Sequence, residues 1–125
     1  MLEVVGPPVR GKATVFEDQY VCTGGQMCEL AMGRDRFCAD IRKVVYDLLK
    51  RERGFEPGHC CRPHDAAGLL VALEAGVIIT DIYGAPLDVP FDTRTDIDWI
   101  GYANAQLKKK LEKPFRAALE KHGLI

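Results

Sequence analysis

Cys61-Arg62-Pro63-His64-Asp65-Ala66-Ala67-Gly68 runs on through Leu69-Leu70-Val71-Ala72-Leu73-Glu74-Ala75-Gly76 into Val77-Ile78-Ile79-Thr80-Asp81. A carboxylate stands at the entrance of a nearly all-apolar helix. The glycine at its far end stops it, and an apolar run from Val77 to Ile82 reads as a fully buried strand. Such a helix presents one charged group at its mouth, Asp65. There the free backbone donors and the helix dipole favour the ionised form. An ionised carboxylate is a hard oxygen ligand suited to Mg²⁺, and it is equally the commonest kind of helix cap.

Working outward, Thr23-Gly24-Gly25 opens a helix reaching about Met32, with Thr23 as cap and Gly33 as stop. Arg36 to Asp40 is a short strand. Ile41, Val44, Val45, Leu48 and Leu49 recur at helical spacing and predict an amphipathic helix over 41–53. Gly54 to Pro63 is a loop. Asp98 to Ala103 reads as another strand. A last helix follows, capped by Asn104, with Leu107, Leu111, Phe115 and Leu119 on one face and a kink expected at Pro114. Towards the N-terminus, Ala13 to Phe16 is a possible strand and residues 1–12 an extended lead-in. Helices alternate with strands, so the expected class is α/β, with a layered, mixed or mostly parallel sheet flanked by helices. Residues 13–125 form one domain, and the 41–53 helix reads as an insertion in it.

Composition narrows the partners. The 125 residues suffice for one real core, and 47% apolar with 28% charged residues describes a globular chain. Lys and Arg number 17 against 18 acidic residues, so no overall field draws nucleic acid or a membrane surface. No apolar run has the length of a membrane span, and the N-terminus lacks the pattern of a signal peptide; the expected location is cytoplasmic. Five cysteines without framework spacing predict reduced thiols.

The segment from Arg62 to Asp88, with Pro63-His64-Asp65-Ala66-Ala67-Gly68, Glu74-Ala75-Gly76 and Gly84-Ala85-Pro86-Leu87-Asp88, resembles the C-terminal signature of the inositol monophosphatase family. Members of that family are Mg²⁺-dependent phosphatases of inositol and sugar phosphates. His64 stands where the family has Trp. The resemblance extends from about Cys22 to the C-terminus and covers only the second half of the family's fold. The family's Asp-Pro-[Ile/Leu]-Asp-Gly-Thr motif is not in this sequence, and Asp92, Asp96 and Asp98 do not form it. The resemblance therefore implies half an enzyme, inactive alone. It makes Asp65 a Mg²⁺ ligand that also orients water. Asp40 would read substrate hydroxyls, with Glu56 as its rival. The Thr23, Gly24 and Gly25 turn would contact substrate through its backbone. Its partners would be a small phosphorylated substrate and either the missing N-terminal half or further copies of the chain.

Other readings stay open. His59, Cys60, Cys61 and His64 are dense enough to suggest zinc, although adjacent cysteines suit one ion poorly. Cys60 as a nucleophile lacks an accompanying motif. Arg42, Lys43, Lys50, Arg51 and Arg53 read as a solvated helix face, as do Lys108, Lys109 and Lys110. A chain that keeps the half-fold without chemistry would be a binding or assembly module. A domain that holds anions at helix N-termini without hydrolysis is a third possibility.

Overall fold

The computed structural model describes residues 22–125. The expected lead-in over 1–12 and the strand at Ala13 to Phe16 lie outside the described residues. In chain order the elements are α1 (Thr23–Ala31), β1 (Phe37–Asp40), α2 (Arg42–Arg53), a 3₁₀ turn (Pro63–Ala66), α3 (Leu69–Glu74), β2 (Ile78–Thr80), β3 (Trp99–Tyr102) and α4 (Ala105–Lys121). The class is mixed α and β. Among the described residues no helix is long and apolar enough to cross a membrane.

The sheet has three strands in the order β1-β3-β2, and both pairings are antiparallel. This corrects the expectation of a mostly parallel or mixed sheet. β1 and β2 do run in the same direction, as a strand–helix–strand alternation demands. They are not neighbours, because β3 lies between them with the opposite sense. The link from β2 to β3, residues 81–98, carries no helix. A crossover helix is what a parallel pair would need, and an irregular return instead delivers an antiparallel strand.

Alternation along β3 sorts the core into two layers. Trp99 packs with Met27, Leu30, Cys61, Ala72, Val77, Ile79 and Ile97, which joins α1 and α3 to one face of the sheet. Ile100 and Tyr102 pack with Leu111, Phe37, Leu107 and Phe115, which joins α4 to the other. Gly101 shares the Trp99 face and has to be small. A Cβ there would lie 2.5 Å from Leu30 Cδ1 and 2.9 Å from Trp99 Cζ3. The bare backbone lets α1 settle directly on the strand.

Several boundaries shift from expectation. Cys22, not Thr23, caps α1, with the Gly25 N–H donating to Cys22 Sγ (3.4 Å). Asp65 sits inside a 3₁₀ turn, and the helix proper starts at Leu69, one short turn later. The buried strand is shorter than Val77 to Ile82. Asn104 caps α4 as expected, accepting from the Leu107 N–H (3.0 Å), and the helix is continuous across Pro114.

α2 forms where predicted and ends at Gly54, yet none of its residues is fully buried. Polar contacts anchor its start. Asp98, at the entry to β3, accepts from the Lys43 N–H (3.0 Å) and the Val44 N–H (3.3 Å), two donors a helix cannot satisfy for itself. Burial nevertheless penalises the charge and pushes the Asp98 carboxyl up to about 6, against an ordinary value of 3.8. A folded-state value above the unfolded one favours folding most at low pH, and that contribution is lost as pH rises through about 6. Between pH 4 and pH 7 the native chain should therefore lose on the order of 1–2 kcal/mol relative to Asp98→Asn, after allowance for solvent screening. Urea titrations of both proteins at the two pH values measure this, and parallel pH profiles would reject it.

Candidate functional site

Cys61 is the point where the residues singled out from sequence meet. It is fully buried and pairs with Ile97, whose N–H donates to the Cys61 carbonyl (2.9 Å). This ties the segment before Asp65 to the entry of β3. Thr23, the first residue of α1, brings its hydroxyl to 3.5 Å from Cys61 Sγ. The start of α1 also lies against the Asp65 turn. A Cβ on Gly24 would stand 3.9 Å from the Asp65 carbonyl oxygen, and one on Gly68 would stand 3.4 Å from the Gly24 carbonyl oxygen. Small residues on both sides let the two backbones approach.

The Asp65 turn is locally closed. The Arg62 N–H donates to Asp65 Oδ2 (2.9 Å), and the Asp65 N–H donates to the Arg62 carbonyl (2.9 Å). These reciprocal bonds fix the carboxylate relative to its own backbone. His64 Nε2 lies 3.3 Å from Asp65 Oδ1. The side chain is 39% exposed, so the group faces solvent with Oδ1 free of any main-chain donor. His64 thus stands beside the carboxylate, at the position where the resembled family has an aromatic ring.

Asp40 ends β1 on the same side of the sheet and is buried. Both of its oxygens are taken by one side chain, with Arg42 Nε donating to Oδ1 (2.8 Å) and a terminal Arg42 nitrogen to Oδ2 (2.6 Å). The pair raises the already high pKa of Arg42 further. Arg42 also donates to the His59 carbonyl (3.1 Å), which pins the loop after α2 over the site. Arg42 is therefore a site residue and not part of a solvated face. Glu56 is exposed on that loop.

The Cys61 thiol is pushed up to about 11, first by burial and then by Asp40 and Asp65, against a lowering contact from Thr23. Burial raises Cys60 as well. Both sulfurs are therefore held as neutral thiols at neutral pH, the wrong state for a nucleophile. Among the described residues no three His, Cys, Asp or Glu side chains converge as a metal set. Mg²⁺ prefers near-octahedral oxygen coordination and is usually held by carboxylates together with phosphate and water. Asp65 alone does not meet that requirement, and Asp40 is committed to Arg42.

Sequence reasoning missed two residues that hold this arrangement, Arg42 and Asp98. Arg42 looked like one of five basic residues on a helix face, and only its spacing of two from Asp40 marks it. Asp98 carries a fainter signal, an acid directly before Trp99 at the start of a buried strand. Thr23 to Gly25, Asp40 and Asp65 are gathered around Cys61, whereas His59, Cys60 and His64 do not form a ligand set with it. Set against protein-family models, curated proteins and solved structures, the chain matches none of the three.

Proposed function

We propose that this chain supplies the substrate-reading half of a Mg²⁺-dependent phosphomonoesterase site of the inositol-monophosphatase type, acting on inositol or sugar phosphates. On this reading it is inactive by itself, and a second acidic surface provides the remaining metal ligands. The supporting observation is the gathering around Cys61 of a helix start (Thr23 to Gly25), Asp40 and a backbone-fixed Asp65 from three separate parts of the sequence. With the Gly25 N–H donating to Cys22 Sγ and the Gln26 N–H to the Cys22 carbonyl, the Thr23 and Gly24 N–H groups are the main-chain donors that α1 offers an anion. Asp65 offers one oxygen to a metal. The five free thiols suit a reducing compartment such as the cytoplasm.

Paramagnetic Mn²⁺, used in place of Mg²⁺ with millimolar orthophosphate, tests the assignment. Amide resonances of His64, Asp65 and Gly24 should broaden ahead of all others, and Asp65→Asn should abolish that order. Broadening centred elsewhere would reject the reading. The same protein should show no Mg²⁺-dependent turnover of inositol 1-phosphate, and turnover lost on Asp65→Asn would overturn the half-site claim while keeping the chemistry.

A binding or assembly role without catalysis is the second reading, favoured by α3. Leu70 is 70% and Val71 65% exposed, and Leu73 is also open, on the very helix that follows Asp65. Apolar side chains grouped in this way mark a surface that associates. Sedimentation at micromolar concentration separates the readings, because self-association relieved by Leu70→Ser would assign that face to copies of this chain.

A further inference from the structure

At the opposite end of the β1–β3 ladder from Asp40 lies a groove of about 330 Å³, lined by Arg36, Asn104, Gln106, Leu107, Lys110 and Leu111. Phe37 pairs with Tyr102 at this end and Asp40 with Trp99 at the other, roughly 10 Å away along the strands. We infer that this groove binds a small organic dianion of the phosphate-monoester kind, at a site separate from the cluster around Cys61. The inference does not depend on the phosphomonoesterase reading.

Charge carries the first part. Among the described residues neither Arg36 nor Lys110 has an ion-pair partner, and none that lines the groove is a carboxylate. The acids of α4 are otherwise engaged, Glu112 with Lys108 (3.4 Å) and Glu120 with Arg116 (3.2 Å). Two exposed cations on separate elements, unpaired among the described residues, therefore line one open groove. Position carries the second part. The Ala103 N–H donates to the Arg36 carbonyl (3.1 Å), which fixes the backbone of Arg36 beside the start of α4. Asn104 and Gln106 add amides at the mouth, and the first turn of the helix adds its partial positive charge.

Shape carries the third part. The floor is apolar, with Leu111 fully buried and Leu107 half-buried. A volume of this size is at the small end of ligand cavities, which combine apolar walls with a few placed polar groups. A doubly charged head between Arg36 and Lys110 with a compact carbon body on Leu107 satisfies all three features. Inorganic phosphate would use the cations and leave the floor unused. A singly charged head would engage only one cation fully.

Two-dimensional amide NMR of the full chain at pH 7.5, titrated with phenyl phosphate, tests this. Expected are saturable shifts at Arg36, Gln106, Leu107 and Lys110. Benzenesulfonate, with the same ring and one charge, and inorganic phosphate should each bind more weakly at the same residues. Arg36→Met and Lys110→Met should each weaken phenyl phosphate about 10-fold, the scale of a lost charge-assisted contact, and Asp65→Asn should leave it unchanged. Shifts that do not saturate, that centre on Thr23 to Gly25, or that saturate with unchanged affinity in Arg36→Met would overturn the site. Equal affinity for inorganic phosphate would overturn the organic part of the assignment, and equal affinity for benzenesulfonate the dianion part.

Discussion

Trp99→Ala should cost this protein about 3–5 kcal/mol of folding stability, the range for removing a large aromatic from a packed core. Trp99 is fully buried and joins residues of α1, the Cys61 segment, α3 and β2 in one cluster. Its ring also forms one wall of the slot that only Gly101 leaves open. No single neighbour can collapse into the space, because the walls belong to four different segments. Small domains hold only about 5–15 kcal/mol in total, so the variant should be marginal at room temperature. The indole N–H has no hydrogen-bond partner among the described residues. Trp99→Phe therefore removes volume without orphaning a partner, and should cost less than half as much. Urea midpoints of the three proteins decide the matter. A loss below about 1 kcal/mol for Trp99→Ala would mean the cluster is not the centre of the fold.

The sequence revealed what depends on local pattern. The α2 periodicity, the Asn104 cap and the strand over Asp98 to Ala103 are short-range signals, and the elements follow them. Strand order is a different kind of fact. Placing β3 between β1 and β2 depends on which edges two apolar faces can cover together, and nothing within β3 states its neighbours. The same limit applies to the site. Thr23 to Gly25, Asp40 and Asp65 could be picked out singly, each as a helix start, a strand end or a turn carboxylate. Their meeting at Cys61 is tertiary, and so is the capping of α2 by Asp98 from the entry to β3, more than fifty residues later. The state of Asp40 was the least legible of all. A carboxylate at a strand end reads as available, and only the folded chain shows Arg42 occupying both its oxygens.

That pair sets the second large effect. Arg42→Met should destabilise the protein by about 2–4 kcal/mol, somewhat below the usual 3–5 for breaking a buried pair. The asymmetry of exposure is the reason. The Asp40 side chain is 9% exposed, whereas Arg42 is 47% exposed. Removing Arg42 strands a buried carboxylate, but the space it vacates opens towards water that can partly solvate the charge. Removing the charge of Asp40 instead leaves Arg42 able to turn to solvent, so Asp40→Asn alone should cost only about 1 kcal/mol. The double variant then gives the sharpest comparison. Without a buried charge to strand, Arg42→Met with Asp40→Asn should be more stable than Arg42→Met alone, and the coupling in a double-mutant cycle should exceed about 1 kcal/mol. Additive costs would mean that the pair is ornamental and that α2 is held at its start by Asp98 alone. The pair has a consequence for the site as well. Asp40 Oδ2 accepts only from Arg42 among the described residues and keeps a second lone pair, so a substrate hydroxyl would have to share that oxygen with Arg42 on a side chain that is only 9% exposed.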